Sequence, residues 1–181
     1  MDVETYAASV KEFSGLMLPG LLHTEAYIRA LFAHSRRRRT PEELRNDIEV
    51  RLIRKVKTHE RAGPLELAVI IDESALLRDV GGPDVMQEQL DQLIEMAELP
   101  SVSLQVLPLK MHSALDGGFT LLSFHDRDEP DLLYVEYVTG ALHIEEDSEV
   151  RACRLKFDRL GVEALSPEDS ISLIKRISQK R

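Results

Sequence analysis

Two residues with acid–base side chains follow segments with the pattern of consecutive strands. Glu73 comes just after the apolar run at residues 67–71, and His112 follows a second such run at residues 102–107. In an open sheet, ligands bind beyond the carboxyl ends of parallel strands, so both side chains should reach one edge. There they could act together as an acid–base pair on a small molecule. The alternatives are structural: Glu73 would stabilise the first turn of the next helix, and His112 would bond to the backbone of its loop.

A second set of candidate residues combines a strand with a helix. Tyr134 and Glu136 share one face of a predicted strand, because side chains alternate along a strand. A carboxylate on a central strand needs a partner, and Arg51 or Arg54 could provide it. Two interpretations stay open, a structural ion pair and a group that binds or activates a ligand.

Motifs for common cofactors and nucleophiles are absent from the sequence. The histidines have no metal-ligating spacing such as His-Glu-x-x-His, and Cys153 is the only cysteine. Gly81-Gly82-Pro83 lacks the Lys-Ser/Thr of a phosphate-binding loop, and no Gly-x-Ser-x-Gly motif occurs. We therefore expect no metal and no cofactor. An enzyme of this sequence would carry out cofactor-free chemistry such as cyclisation, isomerisation or elimination.

The charge of the chain is distributed unevenly. Residues 1–62 contain 12 Lys and Arg against 9 Asp and Glu, residues 63–181 contain 11 against 23, and the net charge is −9. An acidic surface repels nucleic acid phosphates, so we expect no nucleic acid binding by this chain alone. No apolar run is long enough for a membrane span, and a lone cysteine fits a reducing compartment, so a cytoplasmic protein is expected.

This uneven charge suits a partner protein or self-association, so a homodimer is a further expectation. The four consecutive arginines at residues 36–39 are expected in an exposed loop, where they could also contact an acidic partner.

The N-terminal part, residues 1–62, is predicted to be helical. Residues 4–13 have the pattern of a short helix. Thr24 can cap a second helix, and Thr40, ahead of a proline and two glutamates, begins a third that ends near Glu60.

Residues 63–145 are predicted to form a sheet-containing core, and residues 146–181 form C-terminal helices. The first two strands enclose helices, which makes a right-handed βαβ unit with parallel strands. The next two are joined by a polar loop that indicates an antiparallel hairpin. We therefore predict a single α/β domain, with α+β as the alternative, whose mixed central sheet of four to five strands is flanked by helices. The predicted strands are residues 67–71, 102–107, 119–124, 132–137 and, as a short fifth, 141–144.

Several motifs, in their order and spacing, resemble one known family. They are Pro19-Gly20-Leu21-Leu22-His23-Thr24, Arg51-Leu52-Ile53-Arg54, Ile71-Asp72-Glu73-Ser74 and Tyr134-Val135-Glu136. The chain resembles the domain of unknown function that follows an XRE-type helix-turn-helix in WhiJ-like, antitoxin-like transcription regulators of actinobacteria. Two positions differ from that pattern, since His23 and Lys55 stand where glutamine is usual.

The resemblance implies a module that receives a signal while separate helices read DNA. Its partner would be a small-molecule ligand or a small partner protein. Because few residues precede the Pro-Gly-Leu-Leu run, we expect this chain to be without DNA-binding helices. The alternative is an enzyme recruited from this scaffold, for example in natural-product biosynthesis, with Glu73 and His112 as its catalytic groups. The residues expected at the ligand site are His23, Tyr27, Arg51, Arg54, Glu73, His112, Phe119, Tyr134 and Glu136.

Overall fold

A six-stranded mixed sheet is the centre of the fold. The computed structural model describes residues 7–34, 40–59, 65–110, 113, 117–126 and 128–181, and for residues 53–59 it describes the backbone alone. The strand order is β3-β2-β1-β4-β5-β6, in which β1, β2 and β3 are parallel and the remaining pairs are antiparallel. This confirms the predicted α/β class, with more strands than were predicted. The strands are β1 (Ala7–Ser14), β2 (Glu66–Asp72), β3 (Val102–Leu107), β4 (Phe119–Phe124), β5 (Leu132–Tyr137) and β6 (Gly140–Ile144).

The central strand β1 corrects the sequence prediction. A helix was expected over residues 4–13, and from Ala7 onward this is wrong. β1 is buried on both faces, with Val10 in one apolar cluster and Phe13 in the other. A register shift between Ala7 and Ser9 further disturbs the alternation of its side chains. Pairing with β2 and β4 on its two sides therefore overrides the local helix propensity.

Helices cover both faces of the sheet. One apolar cluster joins the sheet to α1, α4 and α6, and a second joins its other face to α5. The predicted helix starts at Thr24 and Thr40 are confirmed, because each side-chain hydroxyl accepts a backbone N–H three residues further on, and Ser166 caps α6 in the same way. The helices are α1 (Glu25–His34), α2 (Pro41–His59), α3 (Glu73–Leu77), α4 (Pro83–Ala97), α5 (Asp147–Glu163) and α6 (Pro167–Ser178), and a 3₁₀ turn spans Gly20–Leu22.

The parallel strands place their carboxyl ends at one edge of the sheet. β1 ends there at Ser14 and β2 at Asp72. β4 begins at this edge, because Phe119 pairs with Phe13 of the antiparallel β1. The carboxyl end of β5 returns to it. The loop after β1 thus lies beside residues from β4 and β5.

Candidate ligand-binding cleft

The loop after β1, residues 15–18, is fixed by side chains. Four consecutive backbone carbonyls each accept a hydrogen bond from a side-chain donor. The pairs are Ser74 Oγ to Gly15 O at 3.2 Å, Arg78 Nε to Leu16 O at 3.0 Å, Ser14 Oγ to Met17 O, and His23 Nε2 to Leu18 O at 2.8 Å. With its backbone held in this way, the loop exposes the side chains of Leu16 (73%) and Met17 (42%). A fixed apolar surface of this kind loses little conformational entropy when a ligand binds to it.

The Pro-Gly-Leu-Leu-His-Thr run is held against α4 by one buried amide. The side chain of Gln89, which is completely buried, accepts a hydrogen bond from Thr24 N at 2.7 Å and donates one to Leu22 O at 2.9 Å. Pro19 O accepts from Leu22 N at 3.0 Å and closes the 3₁₀ turn. These contacts fix the position of His23 between the turn and α1.

His23 and Tyr27 form a buried pair behind the loop. The hydrogen bond to Leu18 O requires the proton of the His23 ring on Nε2. The centroids of the two rings are 4.7 Å apart. Burial raises the pKa of Tyr27, while the Leu18 backbone and the positive charge of Arg78 act in the opposite direction. Tyr27 was expected to face a ligand, but it lies in the core and His23 alone of the two reaches the cleft.

A cleft of about 360 Å³ opens between the loop, the 3₁₀ turn and the sheet. Its floor is polar, because Glu12, Thr120 and Tyr134 lie side by side on three neighbouring strands. Its rim combines the exposed side chains of the loop with Arg51 from α2. The polar and charged residues that line it are Glu12, Ser14, His23, Arg51, Thr120, Tyr134 and Glu136, and the apolar ones include Phe13, Leu16, Met17, Leu18, Leu21 and Phe119.

Tyr134 and Glu136 interact directly within this cleft. The Tyr134 hydroxyl donates to Glu136 Oε1 at 2.9 Å, and the Tyr134 ring lies 5.2 Å from the ring of His143. Glu136 was predicted to be a costly carboxylate on a central strand. This prediction is wrong, because β5 lies next to the edge strand β6 and the side chain of Glu136 is exposed to solvent.

Arg51, one of the two predicted partners of Glu136, lines the same cleft. Its guanidinium carbon lies 4.8 Å from the centroid of the Phe32 ring in α1, a contact that orients the side chain. The side chain of Arg54, the other predicted partner, lies outside the described residues.

Glu73, one member of the predicted acid–base pair, is not among the described residues that line the cleft. The Glu73 carboxylate accepts a hydrogen bond from Leu109 N at 3.0 Å and so ties the start of α3 to the segment after β3. Asp72, rather than Glu73, caps α3 by accepting from Ser74 N at 2.8 Å. His112 lies outside the described residues, so its distance from Glu73 stays a prediction.

Of the seven predicted ligand-site residues whose side chains the structure describes, five line the cleft. They are His23, Arg51, Phe119, Tyr134 and Glu136. Sequence reasoning missed Glu12, Ser14 and the loop at residues 15–18, because β1 was read as a helix. The side chains of Lys11 and Phe13 face α5, and those of Glu12 and Ser14 face the cleft. This alternation is the sequence signal that could have identified β1 as a strand.

The fold and the cleft define an α/β domain with an open, mixed polar and apolar cavity at the carboxyl end of its central strand, where open α/β sheets bind ligands. Among the residues with described positions, no group of three or more His, Cys, Asp or Glu is placed to hold a metal ion. None of the described helices is long and apolar enough to cross a membrane.

The sequence matches the family model of the domain of unknown function DUF5753 over residues 1–176, and the chain belongs to this family. Comparison with curated proteins and with solved structures gave no match.

Proposed function

We propose that this domain is a cytoplasmic signal-receiving module that binds a small molecule in the cleft. One observation carries the proposal: four side-chain hydrogen bonds fix the loop at residues 15–18 over a cavity whose walls are part apolar and part charged. Such a site is formed before a ligand arrives, which is the usual state of small-molecule pockets.

The proposed setting is an XRE-type, WhiJ-like regulator system of actinobacteria. Membership of DUF5753 agrees with the resemblance of the sequence motifs to the domain that follows the helix-turn-helix in such regulators. In this setting the domain receives the signal, and separate helices contact DNA. Since its net charge is −9, the domain alone should not bind DNA at physiological salt, which an electrophoretic mobility shift assay can measure.

The lining of the cleft limits the chemistry of the ligand. A volume of about 360 Å³ is near the lower end of the roughly 300–1,000 Å³ that small-molecule sites occupy. Arg51 can bind an anionic or acceptor group, and Glu12 and Glu136 can bind donors or a cation. Leu16 and Met17 can cover an apolar part. We therefore propose a small amphipathic ligand that carries both hydrogen-bond donors and acceptors.

A thermal-shift screen of the whole chain tests the proposal. The probe is a panel of amphipathic amines, carboxylic acids and aromatic amides. We expect hits whose affinity, measured by calorimetry, falls at least about tenfold in Tyr134→Phe and Arg51→Gln, because each change removes a polar contact in a desolvated site.

Glu73→Gln is the matched control, since this carboxylate lies at the same edge of the sheet but outside the cleft lining. The proposal fails if Glu73→Gln weakens the hits and the two cleft variants do not. It also fails if the panel gives no hit.

The contact between Tyr134 and Glu136 favours a second candidate function. The Glu136 carboxylate, which accepts a hydrogen bond from the Tyr134 hydroxyl, could take up a proton from a bound molecule. The tyrosine hydroxyl could then stabilise the negative charge that develops on that molecule. The chain would then be a cofactor-free enzyme for cyclisation, isomerisation or elimination. Glu73 and His112 were the predicted catalytic groups, and the Glu73 carboxylate already accepts a hydrogen bond from Leu109 N.

Product analysis separates the two functions. A panel compound that binds should be recovered unchanged after incubation with the signal-receiving module. Conversion by the wild type, with turnover about 10²–10⁴-fold lower in Glu136→Gln and little change in affinity, would instead establish the enzyme.

A further inference from the structure

The two edges of the sheet differ in their protection. The outer edge of β3 is covered by the chain itself, because Val106 accepts a backbone hydrogen bond from Leu165 N at 2.9 Å and donates one to Ser170 Oγ at 2.8 Å. At the other edge, β6 has β5 as its only strand neighbour in the described part of the chain. A free strand edge pairs readily with another strand unless charges, proline or a cover prevent it.

The sequence of β6 provides no such protection. Its five residues, Gly-Ala-Leu-His-Ile, include no proline and no Asp, Glu, Lys or Arg. Apolar side chains are exposed beside this edge, namely those of Tyr137, Val138 and Leu142. Leu142 pairs with Val135, which packs in the cluster against α5, so Leu142 lies on the α5 side of the strand.

We infer that β6 pairs with β6 of a second copy of this chain. The two strands run antiparallel about a two-fold axis at Leu142, and the two six-stranded sheets become continuous. In this register Leu142 faces its own copy. Gly140 faces Ile144, and Ala141 faces His143, so each pair beside the axis combines a small side chain with a large one.

The same register is compatible with the acidic residues that follow β6. Glu145 and Glu146 follow the paired residues and would lie near the turn of the second copy, Val138 and Thr139, which has no charged side chain, so that no two carboxylates lie opposite each other. This self-complementarity in size and charge favours a second copy of the chain over an unrelated strand as the occupant of the edge.

The association should be weak and reversible. Five residues per strand, with the side chains of one hairpin, bury less than the roughly 1,200–2,000 Å² of stable interfaces. Each copy also has a net charge of −9, so repulsion opposes the contact. Added salt should therefore strengthen the dimer by screening this repulsion.

Sedimentation velocity of the full chain tests the inference. At concentrations from the order of 1 µM to 1 mM, the range in which weak dimers form, the mass should rise reversibly toward twice the monomer. Leu142→Lys and Leu142→Asp should each be monomeric throughout, because each places two like charges at the axis. An equimolar mixture of the two variants should dimerise again, since lysine then faces aspartate.

Val162→Lys is the matched control, since Val162 is exposed on α5 away from the edge, and it should dimerise like the wild type. Circular dichroism confirms the fold of each variant. The inference is overturned by a wild type that stays monomeric, by a Leu142→Lys variant that dimerises as the wild type does, or by a mixture of the two variants that stays monomeric.

Discussion

The parallel and antiparallel halves of the sheet differ in how the chain encloses them. β1, β2 and β3 are covered by α4 and α6, and the edge at β3 is closed by hydrogen bonds of Val106 with Leu165 and with Ser170 of α6. β4 and β5 contribute a polar face to the cleft, and the outer edge of β6 has no strand neighbour in the described part of the chain. We infer that the parallel half supplies most of the stability, while the antiparallel half contributes to both of the proposed binding surfaces.

β1 connects these two roles. It pairs in parallel with β2 and antiparallel with β4, and its carboxyl end leads into the fixed loop at residues 15–18. Ser74 and Arg78 of the parallel half bind two carbonyls of this loop. The cleft is therefore lined by strands of both halves, β1, β4 and β5, and its loop is positioned by side chains that follow β2.

The largest effect should separate the buried core from the exposed edge strand β6. Leu90→Ala removes a completely buried side chain from α4 and should lower the free energy of unfolding by about 2–5 kcal/mol. Phe157→Ala, in the cluster under α5, should do the same. Leu142→Ala on β6 should cost less than about 0.5 kcal/mol at concentrations where the chain is monomeric, because its side chain is half exposed. Urea unfolding measures all three, and equal losses at Leu90 and Leu142 would remove the distinction between the core and the edge strand.

A smaller effect is expected at the hydrogen bond that closes the loop. His23→Leu leaves the carbonyl of Leu18 without its donor and should cost about 1–3 kcal/mol. His23→Gln is the matched variant, because a glutamine amide can donate to the same carbonyl, and it should recover most of the loss. Thermal unfolding of the two variants measures the difference. If His23→Leu and His23→Gln were equally stable, the histidine ring, and not the hydrogen bond that it donates, would fix the loop.

The smallest effect concerns the buried hydroxyl of Tyr27. Burial raises its pKa above the ordinary 10.0, so the folded state favours the protonated form. This contribution to stability is present below about pH 10 and is lost as the pH rises through the raised pKa. When the pH is raised from neutral to above 10, the free energy of unfolding should therefore fall less in Tyr27→Phe than in the wild type. Tyr137→Phe, which removes an exposed hydroxyl, is the control and should follow the wild type.

The fold was predictable where sequence pattern and tertiary environment agree. β2 and β3 are apolar runs buried in a parallel sheet, so both were predicted nearly to the residue. β1 was not, because its Ala, Lys and Glu residues favour a helix and only pairing on both sides makes it a strand.

The candidate site, too, could be predicted from the sequence only in part. Strand alternation placed Tyr134 and Glu136 together, and the structure brings Arg51 to the same cleft. The anchors of the loop at residues 15–18 could not be predicted. Ser74 and Arg78 are about sixty residues away along the chain from the carbonyls that they bind, and their contacts depend on the pairing of β1 with β2.

The most direct test of the central claim is a map of where small molecules bind. The amphipathic panel is added to the isotopically labelled chain, and backbone amide shifts are followed by NMR. Hits should shift the amides of residues 14–18, 118–120 and 134–136, which surround the cleft. Shifts confined to Glu73 and Leu109, at the ends of β2 and β3, or the absence of any hit, would contradict the claim.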